Sequence, residues 1–185
     1  MAGCVFGTRE TPDSATSIVW VTQDSGIIPF GFKSIYFTDA GTGYAVGGGG
    51  SIVKSTDGGA TWTSQNSGVF SALLSVFFPD AATGYAAGDD GVILKTADGG
   101  TRWQALNSGV NRLLTSIHFK DAQHGCAAGM QSLILCTTDG GNSWSVQNLD
   151  SGGYRLLTHV QFPGGNTGYA VGDRGAQRSP ELGRV

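Results

Sequence analysis

A repeat with a step of 41 residues constrains this chain more than any other feature. Phe37, Phe78 and Phe119 stand 41 residues apart and Phe162 follows after 43, while Trp62, Trp103 and Trp144 keep the same 41-residue step. Between these markers run Gly43-Tyr44-Ala45, Gly84-Tyr85-Ala86, Gly125-Cys126-Ala127 and Gly168-Tyr169-Ala170, each followed two residues later by a further glycine, Gly47, Gly88, Gly129 and Gly172. Whatever recurs in every copy is explained by the architecture, so departures from the repeat are the better candidates for function.

Each copy reads as short β segments separated by glycine-rich turns, with no helical periodicity in any window of ten residues. In the second copy the strands are expected at Leu73 to Phe78, Tyr85 to Ala87, Val92 to Thr96 and Arg102 to Leu106. Gly88-Asp89-Asp90-Gly91 suits a tight hairpin and Asp98-Gly99-Gly100 suits the next turn, because Gly and Asp tolerate positive φ. Such turns draw on the chain's excess of glycine, 31 in 185 residues, about 17% against an average of roughly 7%. The first strand, Leu73-Leu74-Ser75-Val76-Phe77-Phe78, is apolar at successive positions, which predicts that both of its faces are covered. Four strands per repeat, the innermost apolar, make the pattern of a β-propeller blade, with a solenoid as the alternative architecture. The expected fold is therefore all-β, an open arc of four-stranded propeller blades.

Charge and composition exclude several function classes. Charged residues are 14% and hydrophobic residues 39%, too apolar and too weakly charged for a disordered chain. Eleven Lys and Arg against 14 Asp and Glu leave a net charge of -3, so no global positive field recruits nucleic acid or an anionic membrane. No apolar run is long enough to span a bilayer, and the N-terminus lacks the basic and apolar segments of a secretory signal. Ala2-Gly3-Cys4 resembles the end of a lipoprotein signal without the apolar stretch that should precede it. Cys4, Cys126 and Cys136 contain no C-x-x-C pair, which argues against a disulfide framework or a cysteine zinc site. Free buried thiols are the default. Cys126 and Cys136 fall on adjacent strands of one hairpin, where a cross-strand disulfide is geometrically demanding.

The strings Ser55-Thr56-Asp57-Gly58-Gly59-Ala60-Thr61-Trp62, Thr96-Ala97-Asp98-Gly99-Gly100-Thr101-Arg102-Trp103 and Thr137-Thr138-Asp139-Gly140-Gly141-Asn142-Ser143-Trp144 resemble the Asp-box, or bacterial neuraminidase repeat. The Asp-box occurs in sialidases, xyloglucan hydrolases and sortilin-type receptors, and by itself implies a propeller rather than a reaction. The longer unit is more telling: Phe-x-Asp, then G-Y-A-V-G, then G-x-I-x-K-T-x-D-G-G-x-T-W resembles the photosystem II stability and assembly factor family. That resemblance implies a non-enzymatic propeller of about seven blades, outside the cytoplasm in periplasm or thylakoid lumen, holding a membrane-protein client during assembly, with no cofactor. It also implies an arginine-bearing client patch. Related repeats occur in secreted proteins of non-photosynthetic bacteria.

The resemblance divides the chain into a degenerate leader at 1–16, Asp-box repeats over 17–175, and a divergent tail at 176–185. Within the repeats, 17–31 is a partial blade, 32–72, 73–113 and 114–156 are blades, and 157–175 is a second partial blade. Trp20-Val21-Thr22-Gln23-Asp24-Ser25-Gly26 parallels Trp62-Thr63-Ser64-Gln65-Asn66-Ser67-Gly68. After Gly175 the match fails, since Ala176-Gln177-Arg178-Ser179 replaces the Ile-Val-Lys type of strand and Pro180-Glu181-Leu182-Gly183 replaces the Asp-box. The expectation is a truncated or frame-shifted fragment, whose open arc leaves two apolar blade faces in water and so favours self-association.

Asp57, Asp98 and Asp139 with Trp62, Trp103 and Trp144 are expected to be structural, because the repeat puts the carboxylates on separate blades, too far apart for paired acid and base work. The aspartates should accept backbone N–H groups while the tryptophans pack over the turn. Sialidase chemistry needs an arginine cluster and a tyrosine nucleophile with an acidic partner, and no motif of that kind is present; a fragment of a sialidase- or xyloglucanase-like hydrolase is the alternative class. His118, His124 and His159 fall at three different repeat positions, so neither a catalytic nor a metal site is read from them. His118 takes the place of Phe77 and reads as a packed histidine. The partner-binding candidates are loop residues that break the repeat: Arg112, Tyr154 and Arg155 in the connections between blades, and Asp89, Asp90 and Arg174 in the hairpins, all expected on one face. Arg112, Arg155 and Arg174 would supply the arginine patch.

Overall fold

The computed structural model describes residues 4–9, 19–24, 31–147, 156–164, 167–173 and 175–178. A ribbon of β1 (Cys4–Arg9) and β2 (Val19–Asp24) places Thr8 opposite Trp20, so part of the segment read as a leader is a strand. Four antiparallel meanders then follow in chain order. The first is β3 (Phe32–Phe37), β4 (Gly43–Gly47), β5 (Ile52–Ser55) and β6 (Thr63–Gln65). The second is β7 (Leu73–Phe77), β8 (Gly84–Gly88), β9 (Ile93–Thr96) and β10 (Gln104–Leu106), within a residue or two of the strands expected from sequence. The third is β11 (Leu114–Phe119), β12 (Gly125–Gly129), β13 (Ile134–Thr137) and β14 (Ser145–Gln147). The fourth is β15 (Leu157–Gly164), β16 (Thr167–Gly172) and β17 (Gly175–Arg178). β17 carries the blade past the 175 boundary, pairing Arg178 with Tyr169.

The blades are held face to face by three apolar layers. Between the first and second lie Tyr44, Val46 and Ile52 against Leu73, Val76, Phe78, Ala86 and Leu94. Between the second and third lie Tyr85, Ala87 and Ile93 against Leu114, Ile117, Phe119, Ala127 and Leu135. Between the third and fourth lie Cys126, Ala128 and Cys136 against Leu157, Val160, Phe162 and Ala170. The glycine before each Tyr or Cys has a packing reason: a Cβ on Gly84 would strike the ring of Phe78, and one on Gly125 the ring of Phe119. The inner phenylalanine therefore lies flat on a strand that can carry no side chain there.

Three devices tie the blades together, the first at all three joints and the other two at the first and second joints. A serine hydroxyl of one inner strand accepts a backbone N–H of the next, from Val76 to Ser34 at 3.2 Å, Ile117 to Ser75 at 3.1 Å and Val160 to Ser116 at 3.1 Å. A tyrosine stacks on the next blade's phenylalanine, Tyr44 on Phe78 at 4.0 Å and Tyr85 on Phe119 at 3.6 Å between ring centroids. The tyrosine hydroxyl and a lysine both donate to one carbonyl of the next Asp-box turn: Tyr44 and Lys54 to Gly99 at 2.7 Å each, Tyr85 and Lys95 to Gly140 at 3.0 and 2.7 Å.

Two expectations are corrected here. The third blade replaces Tyr and Lys by Cys126 and Cys136, and these are joined in a disulfide rather than left as free thiols. They are directly opposed across β12 and β13 with Cα atoms 4.2 Å apart, the register that makes the bond geometrically accessible. Full coverage of the inner strand holds for β7 and β11, which are packed on both sides, but not for β3, whose residues alternate between half-buried and exposed. β7 packs between β3 and β11, and β11 between β7 and β15, which covers both of their faces.

Candidate protein-binding face

Strand direction sorts the connections onto two faces. The β3–β4 loops and the Asp-box turns leave from one end of each blade; the β4–β5 hairpins and the connections to the next blade leave from the other.

On the first face the three Asp-boxes are closed hydrogen-bond units. Asp57 accepts from the Ser55 hydroxyl at 2.8 Å, the Thr61 backbone N–H at 2.9 Å and the Thr61 hydroxyl at 2.6 Å, while Ser55 accepts from the Gly59 N–H at 2.8 Å. Asp139 repeats this with Thr137 and Ser143, and Asp98 with Thr96 and the Arg102 N–H. The Thr61 hydroxyl, its N–H and the Ser55 hydroxyl hold Asp57 ionised, down to about 2; the Ser143 hydroxyl and N–H with Thr137 do the same for Asp139. Asp98 is lowered too, chiefly by the Arg102 N–H. A general acid needs the opposite displacement, so these carboxylates are built as turn clamps. The tryptophans pack edge-on against the inner phenylalanines, Phe37–Trp62, Phe78–Trp103 and Phe119–Trp144 at 6.0 to 6.1 Å. Their buried indole N–H groups have no hydrogen-bond acceptor, a property of all three copies and hence of the repeat.

The histidines serve local purposes. His118 Nδ1 accepts the Phe162 N–H at 3.4 Å and its ring lies 4.2 Å from that of Phe77; burial, with His159 nearby, lowers its pKa to about 4 and keeps it neutral. His124 Nδ1 sits 2.9 Å from Asp121 in a β3–β4-type loop of the third blade. Among the described residues no group of three or more His, Cys, Asp or Glu could hold a metal ion, and no helix is long and apolar enough to cross a membrane.

The opposite face gathers the partner-binding candidates. The hairpin over Asp89–Gly91 is a one-turn 3-10 helix rather than a simple two-residue turn, with Asp90 at φ 57 and Gly91 at φ 71. A Cβ at Gly91 would collide with the carbonyl of Val110 in the connection that crosses it, so this hairpin needs glycine for space as well as for conformation. Asp90 accepts from the Ser71 hydroxyl at 2.9 Å, and Asp89 donates its N–H to the Ala72 carbonyl at 2.9 Å. One blade later Arg112 donates to Gln131 at 3.2 Å, the same pairing of connection and hairpin with different chemistry. Asp89, Asp90 and Arg112 are thus brought to one face. Tyr154, Arg155 and Arg174 lie outside the described residues, so a patch of three arginines is not assembled by what is described. Sequence reasoning did not single out Phe70, 94% exposed on this face, or Met130, 44% exposed at the hairpin beside Gln131. The signal was present for Phe70, because Tyr154 puts a second aromatic at the same repeat position.

A family model described as photosynthesis system II assembly factor YCF48 matches residues 5–97 and 96–176. The chain belongs to that family. A solved YCF48 bound to a D1 peptide superposes with a TM-score of 0.66 at 22% identity, covering 83% of this chain and 51% of the other. YCF48 from Cyanidioschyzon merolae gives 0.67 at 20%, covering 78% and 49%. An ancestral GH74 enzyme gives 0.65 at 18%, covering 83% of this chain and 23% of the enzyme. The chain therefore spans about half the length of the YCF48 structures it matches. No curated protein matches it.

Proposed function

We propose that this chain is a non-enzymatic propeller arc that binds a segment of a membrane-protein client during assembly of a photosynthetic complex, using the face that carries Phe70, Asp89, Asp90, Arg112 and Met130. The observation that carries this reading is the match to the assembly-factor family over 5–97 and 96–176. A relative solved with a D1 peptide supports a polypeptide client. An exposed aromatic next to charged groups of both signs on a rigid scaffold suits an extended peptide with apolar and charged side chains. In the sequence, Tyr154, Arg155 and Arg174 occupy the repeat positions of Asn111, Arg112 and Gln131.

Location outside the cytoplasm fits the Cys126–Cys136 disulfide, because such bonds persist in oxidising compartments and are rare in a reducing cytosol. The GH74 likeness, at 18% identity, is one of fold. A hydrolase would need a poised pair of carboxylates, and Asp57, Asp98 and Asp139 are each hydrogen-bonded within their own turns, on separate blades.

Fluorescence anisotropy with a labelled D1-derived peptide tests the reading. Arg112→Glu and Phe70→Ser should each weaken binding by about tenfold, the scale of an interface anchor, without altering the β-sheet spectrum. Unchanged affinity in both variants, or release of reducing sugar from xyloglucan by the wild-type chain, would overturn it.

A further inference from the structure

Left-handed backbone is distributed unequally between the two faces. Among the described residues the non-glycine positions with positive φ are Asp90 at 57, Gln131 at 62 and Ser132 at 56, all in hairpins of the face proposed for client binding. The Asp-box turns of the opposite face fill every such position with glycine, at Gly58, Gly59, Gly99, Gly100, Gly140 and Gly141. Gln131 departs furthest from this economy. Its repeat counterparts are Gly49 at φ 65, for which the conformation is unstrained, and Asp90, of a residue type that tolerates it. Glutamine has neither excuse, and strain of this kind persists where the surroundings impose it, most often at sites that bind.

The side chain of Gln131 shows what the strain secures. Its amide oxygen accepts from Arg112 Nη1 at 3.2 Å, across the connection that leads into β11. Asp90 reaches across the preceding connection in the same way, to the Ser71 hydroxyl at 2.9 Å. The connection does not depend on this contact as an anchor, because the Met130 N–H already donates to the Leu113 carbonyl at 3.0 Å. What the contact fixes is the guanidinium. An aspartate at 131, as at 90, would pair with Arg112 and cancel its charge. The amide oxygen engages one of five N–H donors and leaves the charge intact. The ion pair among the described residues is that of His124 with Asp121, so none of them compensates Arg112. Met130, 44% exposed, stands next to Gln131.

We propose that Gln131 is a positioning residue of the client site, holding the Arg112 guanidinium in one orientation with its charge intact, so that Arg112 takes a carboxylate of the client and Met130 an apolar side chain beside it. This rests on the assignment of the client to this face. A guanidinium already held loses less freedom on binding, and its remaining N–H groups suit the two oxygens of a carboxylate.

Anisotropy with the labelled D1-derived peptide, as made and with its carboxylates converted to amides, tests the assignment alongside urea denaturation. Gln131→Gly gives the third blade the residue of the first. It should leave the urea midpoint equal or higher, because the strain is relieved, yet weaken the peptide about three- to tenfold, the scale of one more side chain to immobilise on binding. Gln131→Glu keeps the length and the contact but neutralises Arg112, and should weaken the peptide at least as much. The amidated peptide should bind the wild type about tenfold more weakly, as for loss of a charged hydrogen-bonding group, and be indifferent to both substitutions. A lower midpoint with unchanged affinity would make Gln131 merely structural and overturn the proposal, as would equal binding of the acid and amide peptides. If Arg112→Glu and Phe70→Ser weaken the peptide while Gln131→Gly and Gln131→Glu do not, this inference fails and the face keeps its client. If none of the four matters, the face itself is misassigned and the inference falls with it.

Discussion

The joint between the second and third blades and the outer face of the first blade are built from the same repeat positions and differ in how far they are covered. At the joint Tyr85 lies parallel to Phe119 with ring centroids 3.6 Å apart and Phe119 is 1% exposed. At the outer face Phe37 keeps its edge-on contact with Trp62 yet is 40% exposed. The inner half of each blade is thus self-assembled, and the coverage of its phenylalanine is contributed by the adjacent blade. Stability in such an array resides largely in the joints.

The widest gap should appear on truncating the two phenylalanines. Phe119→Ala should cost about 3–5 kcal/mol, the range for a fully buried phenylalanine, whereas Phe37→Ala in dilute protein should cost about 1 kcal/mol or less, as expected for a partly exposed side chain. Urea denaturation followed by tryptophan fluorescence measures both. Equal losses would break the comparison.

Next in size is the joint that lost its latch. Cys126 and Cys136 pack against Leu157, Val160 and Phe162, where Tyr85 and Lys95 would have reached for an Asp-box carbonyl. Closing a loop of ten residues is worth about 2–3 kcal/mol in the chain-entropy account. Reduction, or the double change Cys126→Ala with Cys136→Ala, should lower stability by that amount, and hydrogen exchange should quicken in β15 and β16 before β7 and β8. Equal acceleration in all four blades would show that the disulfide supports the whole arc and not this joint.

This joint also marks where the sequence stopped being legible. The 41-residue step fixed every strand of the interior blades, because strand, turn and inner aromatic recur together. The disulfide was readable only as the less favoured alternative to free thiols, since adjacent strands could be assigned to Cys126 and Cys136 but spacing alone leaves their direct opposition open. β17 escaped for a related reason: Ala176-Gln177-Arg178 lacks the apolar pattern of Ile52-Val53-Lys54, yet backbone pairing with β16 needs no apolar side chain. On the face proposed for binding, Arg112, Asp89 and Asp90 could be placed from strand order alone. Their partners Gln131 and Ser71 required the geometry of a connection crossing a hairpin.

A smaller effect separates the intact latches. Lys95→Met removes a cation that donates to Gly140 at 2.7 Å and lies 5.4 Å from the Tyr85 ring centroid. The loss should be about 1–2 kcal/mol, because the buried carbonyl keeps the Tyr85 hydroxyl as a second donor. Tyr85→Phe in that background should then cost more than Tyr85→Phe alone, which a double-mutant cycle in urea resolves. Additive losses would mean the two donors act independently.

Acid titration separates what the joints contribute from what each turn supplies by itself. His118 lies between Phe77 and the fourth blade, and burial lowers its pKa from 6.5 to about 4. The unfolded chain binds this proton more readily, so the stability tied to neutral His118 is complete above pH 6.5 and is lost as pH falls toward 4. His118→Phe, which restores the residue of the second blade, should abolish that phase. Asp57 and Asp139, both lowered from 3.8 to about 2, contribute stability that is present above pH 4 and is lost only as pH falls toward 2. Asp57 belongs to the less covered first blade and Asp139 to the enclosed third, yet their hydrogen bonds agree closely. Asp57→Asn and Asp139→Asn should therefore flatten the second phase equally in acid denaturation curves. A larger effect for Asp139 would mean that the Asp-box, like the inner phenylalanine, draws its strength from the adjacent blade.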